Sequence, residues 1–240
     1  MLVLLAVAAG CVDAVSFLGL GQVLTAAMTG NTVLLGLALG RADGLGALRS
    51  IVALLAFFAG VMLGAAIARR DPPGPIWSPV LAAALALEFV LLVGLASAWH
   101  LVAGAERWVD ARFPLIAAAG LAMGIQSAVA YRIGVPGIAT TYVTGTMTSL
   151  ATRLVARLRM RASPGDQVEE APTSWLPAKV WLAYGCGAVF AGAMEHWWSS
   201  VGIVGAMRWP SAALLLPVVL VAMVALTVAF EHRRRAKSER

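Results

Sequence analysis

Two carboxylates fall well inside long apolar runs, Asp13 in Leu2–Leu18 and Glu88 in Ser78–Trp99, while Glu195 stands near the end of Val180–Trp198, where an interfacial position explains it. An acid in hydrocarbon is costly unless it is paired, protonated or facing water, so Asp13 and Glu88 are each a candidate coupling or proton-relay group. The competing reading of Asp13 makes it a cap on the polar segment that follows. That of Glu88, set between Leu87 and Phe89, is an acid held neutral in a helix bundle. A short polar phrase then occurs twice, as Met28-Thr29-Gly30-Asn31-Thr32 and as Val143-Thr144-Gly145-Thr146-Met147. Glycine permits an unwound backbone, and threonine hydroxyls satisfy the groups so freed or bind a ligand. A half-helix start offers N–H groups to an anion, and its free carbonyls suit a cation. Thr29, Gly30, Asn31, Thr144 and Gly145 are therefore candidate substrate-binding residues, with Gln126 beside the second copy. The bland alternative is that Gly and Thr simply allow tight helix contact.

The elements that must position these residues form two matched sets. Gly10-Cys11-Val12-Asp13-Ala14-Val15-Ser16-Phe17 reads like Gly124-Ile125-Gln126-Ser127-Ala128-Val129-Ala130-Tyr131. Each stretch leads into one Thr-Gly phrase, with one extra residue in the second copy. Asp13 thus pairs with Ser127, so only one half carries an acid. Six apolar runs are long enough, or nearly so, to cross about 30 Å of hydrocarbon. They are Leu2–Leu18, Ser50–Ala68, Ser78–Trp99, Phe113–Tyr131, Val180–Trp198 and Pro210–Phe230. Gln22–Gly40 and Ile138–Val155 carry the phrases. The order is span, Thr-Gly segment, span, span, repeated once: residues 1–99 and 113–230, joined by 100–112, with a loop at 157–177 and a charged tail at 231–240. Gly60 and Gly64 form a close-packing pair, for which Ala188 and Gly192 are the expected counterparts. The pair could equally serve a homo-oligomer. Pro217 should kink the last span.

The expected fold is an all-α polytopic membrane protein with two internal repeats of four segments. It has six to eight transmembrane helices, the Thr-Gly segments being either crossing or broken and re-entrant. The chain of 240 residues is 60% hydrophobic and 12% charged, against about 25% charged in a soluble domain. Its mean hydropathy is +0.85. The net charge of +6 comes from basic residues at the ends of apolar runs, which points to lipid headgroups and not to nucleic acid. Eight spans would leave Arg69, Arg70, Arg132 and Arg208 outside. Six would leave Arg41, Arg49, Arg107, Arg112 and Arg208 outside. With 18 Lys+Arg in all, four against five decides nothing. Both versions put both termini in the cytoplasm. The Thr-rich composition of Ile138–Val155 favours six, because irregular backbone is tolerated only where protein or water covers it. Six spans make the repeats inverted.

Signals for enzymes, metals and cofactors are absent: no metalloprotease, nucleophile-elbow or phosphate-loop motif occurs. His100, His196 and His232 are scattered at run ends, and Cys11 and Cys186 suggest neither a disulfide nor a metal site. Ala8-Ala9-Gly10-Cys11 has the small residues of a lipoprotein cleavage site but no basic lead, so the first segment is expected to be retained.

At the two Gly-led stretches, at Met28–Thr32 and at Pro136-Gly137-Ile138-Ala139-Thr140-Thr141-Tyr142-Val143-Thr144-Gly145-Thr146, the chain resembles the YoaK family of bacterial membrane proteins. It departs from that pattern at the N-terminus, where members begin with a longer polar lead. The resemblance implies an inner-membrane protein of about six spans and brings no substrate with it. The leading expectation is a transporter or permease for a small solute, proton-coupled through Asp13. A channel-like pore and a non-transporting scaffold or accessory subunit are the alternatives.

Overall fold

The computed structural model describes residues 1–69, 78–102, 108–133, 175–201 and 209–238, with isolated helical residues between 145 and 155. Among them every regular element is an α-helix: α1 (Leu2–Gly19), α2 (Met28–Gly40), α3 (Gly44–Ala68), α4 (Pro79–Val102), α5 (Trp108–Ile133), α6 (Leu176–Val201) and α7 (Trp209–Ser238). Of these, α1, α3, α4, α5 and α7 are long and apolar enough to cross a membrane. At 26 residues α6 is as long, but Lys179 and Glu195 stand near its ends. Large apolar side chains lie exposed along the outside of the bundle, among them Val33, Leu55, Phe58, Val90, Val189 and Leu226. In water that would drive aggregation; in a bilayer it is the lipid-facing surface.

The path from α1 to α3 settles what Gln22–Gly40 does. Two turns of the same kind bracket α2. At the end of α1, Gly21 takes a φ of +91° and the Gln22 N–H reaches back to the Phe17 carbonyl (3.0 Å). At the end of α2, Ala42 takes a φ of +55°, and the Asp43 and Ala42 N–H groups return to Ala38 (2.9 Å) and Leu39 (3.2 Å). This is the Schellman closure, which satisfies end carbonyls by a left-handed residue just past the helix. Asp43 then caps α3 by accepting from the Gly46 N–H (3.0 Å).

With only Arg41–Asp43 between them, α2 and α3 form a helical hairpin. The Arg49 guanidinium, near the start of α3, lies against Gly21 at the end of α1; a Cβ on Gly21 would stand 2.7 Å from it. So α1 ends on the face where α3 begins. Between them, α2 starts at the depth of Asp13 and climbs back to that face. Its 13 residues span about 20 Å, short of the roughly 30 Å that a crossing requires. The first Thr-Gly segment is re-entrant.

Hydrophobicity cannot drive helix association in lipid, so close van der Waals contact must. Glycines provide it at two crossings. A Cβ on Gly60 would collide with the Leu121 carbonyl, and one on Gly124 with that of Phe57. This joins α3 to α5. At the other crossing, a Cβ on Gly10 would collide with the Tyr184 carbonyl, and one on Gly187 with that of Val7, which joins α1 to α6. The expected counterparts of Gly60 and Gly64 are therefore corrected by one residue. Gly187, not Ala188, takes the position of Gly60, and Gly192 faces open space. One residue on a helix turns the contact face by about 100°. The Gly60/Gly64 pair is also engaged within the chain, packed on α5, and not open to a second copy.

The remaining contacts follow the same order. α4 packs on α7, α1 on α7, and α4 on α5. Trp99, near the end of α4, lies against Gly19 at the end of α1, and the Ser211 hydroxyl ties the start of α7 to the Ala96 carbonyl (3.2 Å). Thus α1 and α4 end on one face of the bundle, here the exit face, where α3 and α7 begin. The opposite face, where α1 begins, is the terminal face. Pro217 has no N–H for the Ala213 carbonyl four residues earlier. That carbonyl accepts from the Cys11 thiol (3.4 Å), which gives Cys11 a specific packing role between α1 and α7.

Candidate functional site

Asp13 lies 2% exposed on α1, a turn and a half before its end. One carboxylate oxygen accepts from the N–H groups of Thr25 (2.7 Å) and Ala26 (2.6 Å). The other accepts from the Ala27 N–H (3.0 Å) and from the Tyr184 hydroxyl on α6. Three successive N–H groups converging on one anion form a nest, placed here just ahead of α2, where the helix dipole also favours negative charge. Sequence reasoning held that a half-helix start would suit an anionic group. The chain supplies that anion itself.

Asn31 closes the same loop from the other side. Its side-chain oxygen accepts from the Leu24 N–H (2.9 Å) and its amide donates to the Leu24 carbonyl, so it pairs with that residue as a neighbouring strand would. The amide also lies 3.7 Å from the Met28 sulfur. Ser16, one turn after Asp13 on the same face of α1, pairs with Thr25 (3.2 Å). Asp13, Ser16, Asn31 and Tyr184 together hold the irregular stretch ahead of α2, and the Asn31 carboxamide and Asp13 carboxylate partner the N–H groups of Leu24 to Ala27 and the Leu24 carbonyl. Without those partners, unpaired groups there would cost several kcal/mol each.

The other candidates are dispersed. Thr29 is exposed, Gly30 is half-buried against Leu24, and Gly145 is helical and exposed. Thr144 lies outside the described residues. Gln126 is fully buried on α5, donates to the Leu5 carbonyl of α1 (3.0 Å), and leaves its own oxygen without a partner. Leu5 is more than two turns from Asp13, so Gln126 does not join the clamp. Ser127, matched with Asp13 in sequence, lines a hollow of about 700 Å³ with Val61, Ala65 and Tyr131. Of the described candidates, Gln126 on α5 thus stands apart from Thr29, Gly30 and Asn31 on α2.

Glu88 is different in kind. The buried face of α4 runs Leu81, Leu85, Glu88, Leu92, Leu95 and Trp99, spaced alternately by four and three. Glu88 is the one acid in that seam, 0% exposed, and neither carboxyl oxygen has a hydrogen-bond partner. Among the described residues no group of three His, Cys, Asp or Glu could hold a metal. Sequence reasoning did not select Tyr184, Ser16 or Thr25. Ser16 could have been found from its spacing to Asp13. Tyr184 carries no local signal, because its partner is 171 residues away.

These features define a polytopic α-helical membrane protein with a clamped re-entrant segment. The chain belongs to the family described as protein of unknown function (DUF1275), whose model matches residues 1–227. It is similar to the UPF0700 transmembrane protein YoaK of Bacillus subtilis (strain 168), at 36% identity over 159 residues, covering 66% of this chain and 68% of that protein. No solved structure matches it.

Proposed function

We propose that this protein is a permease that moves a small solute by alternating access, with Glu88 as its proton site. The observation that carries this reading is the unpartnered, fully buried carboxyl of Glu88 in the seam of α4. A group so costly is retained where it takes up and releases a proton or meets a cation. The helix pairing supports it. The first helix of each half packs on the third helix of the other (α1 on α6, α5 on α3), and the two fourth helices pack on each other. That exchange fits two inverted repeats, 1–99 and 113–230, an architecture transporters use to rock about a central site.

In this reading Asp13 is the fulcrum and not the coupling acid, since four donors already engage it. With the first Thr-Gly segment re-entrant, and the second taken to match it, 13 of the 18 Lys+Arg fall on the terminal face. The positive-inside rule then puts both termini in the cytoplasm, across a bacterial cytoplasmic membrane.

The test is reconstitution into vesicles loaded with a pH-reporting dye, followed by a screen of solute pools. Saturable, uphill, solute-dependent proton movement that Glu88→Gln abolishes, with solute exchange retained, is the expected result. Linear flux without saturation would mean a pore. One observation favours a non-transporting scaffold or accessory subunit: Asp13 and Asn31 are both engaged by the chain's own backbone. If no solute moved and Glu88→Gln changed only stability, that reading would replace the permease.

A further inference from the structure

At the exit face a cavity of about 330 Å³ opens between the end of α1, the end of α2 and the start of α3. Its polar walls are Gln22, Arg41, Asp43, Arg49 and Ser50. Asp43 is the one carboxylate among them, and it is turned to the backbone as the cap of α3. Arg49 is half-buried and lies against Gly21, and its Nε is buried with no hydrogen-bond partner. A buried guanidinium nitrogen without an acceptor is unfavourable until one joins it.

We propose that this cavity binds an anionic oxo group, a carboxylate or a phosphate, held by Arg49 and Arg41. Three features fit. The guanidinium fork matches the paired oxygens of both anions, where an ammonium would act as a point charge. Gly21 has no side chain, and any Cβ there would displace Arg49 from the wall. The volume lies at the small end of ligand cavities, about 300–1,000 Å³, enough for a small acid or one headgroup. The anion can come from solution or from a lipid headgroup at that face. The site goes beyond the permease reading and stands whether or not the protein moves solute.

Thermal unfolding of the purified full chain, at constant ionic strength, tests it with inorganic phosphate and with succinate as probes. Native mass spectrometry with phosphatidylglycerol forms the second arm. Arg49→Gln should weaken binding about ten- to a hundredfold, the loss of a charge-assisted contact. Arg49→Lys should recover part of it. Arg69→Gln, at the far end of α3, should leave it unchanged.

Stabilisation by phosphate or succinate that Arg49→Gln removes assigns the site to a soluble anion. Retention of phosphatidylglycerol alone, lost in the same variant, assigns it to a headgroup. No response of the unaltered chain to any of the three probes, or a response equal in Arg49→Gln, overturns the proposal. If Arg49→Gln does not fold, Arg41→Gln decides by the same criteria, because Arg41 is exposed.

Discussion

Asp13 was open to two roles from sequence, and its four donors explain its burial by one of them. Removing the carboxylate strands three backbone N–H groups in a dry loop, at about 1 kcal/mol or more each. Asp13→Ala should therefore cost at least about 3 kcal/mol. Asp13→Asn should cost less, because one oxygen remains to accept from Thr25 and Ala26. Tyr184→Phe should cost about 1 kcal/mol, since the backbone donors stay in place. Thermal unfolding in detergent, followed by the exposure of the buried Cys11 thiol, would give that order. Equal losses for all three would mean the clamp is not what holds the loop. Asn31→Leu should resemble Asp13→Ala, whereas the exposed Thr29→Ala should be nearly silent. That contrast separates the structural half of the Thr-Gly phrase from the rest. From sequence alone, all of Thr29-Gly30-Asn31 read as one binding element. What could not be read was which side chains turn inward, because a half-helix at the rim has no apolar periodicity to show its buried face.

The helices themselves were largely legible, because a run of some twenty apolar residues has few other uses. The positions of the spans, and of Pro217 inside the last of them, needed no tertiary information. The re-entrant course of α2 did. The charge count left it undecided, and it is set by the left-handed residues Gly21 and Ala42 together with the contact of Arg49 on Gly21. Small-residue matching also slipped by one position in α6, where Gly185, Gly187, Ala188 and Gly192 offer several similar registers. The crossing itself resolves them. Gly187→Leu should prevent α1 from seating on α6 and abolish a folded, monodisperse product. Gly192→Ala should leave the unfolding free energy within about 0.5 kcal/mol of the parent, as for a surface change. Gly60→Leu should behave like Gly187→Leu. If Gly192 proved the sensitive position and Gly187 the tolerant one, the register of this crossing would be wrong.

For the whole molecule, the directions of α1, α3, α4 and α7 follow from three contacts at one face: Gly21 with Arg49, Gly19 with Trp99, and Ser211 with Ala96. In a chain with Cys186 replaced by Ser, Gln22→Cys and Leu45→Cys should react with a membrane-impermeant maleimide from the same side. Labelling from opposite sides would show that α2 crosses after all. The order in which these contacts can form has a further consequence. α1 is made first, yet its partners are α6 and α7, and the Tyr184 hydroxyl that completes the Asp13 clamp lies 171 residues downstream. At the usual pace of synthesis, about 5–20 residues per second, that is a wait of roughly ten to thirty seconds. During it, the nest at Thr25–Ala27 is already within reach, whereas the fourth donor is not. The loop therefore has what it needs to shield its own acid early in biogenesis, and the last helices arrive to lock an arrangement that the first forty residues have begun.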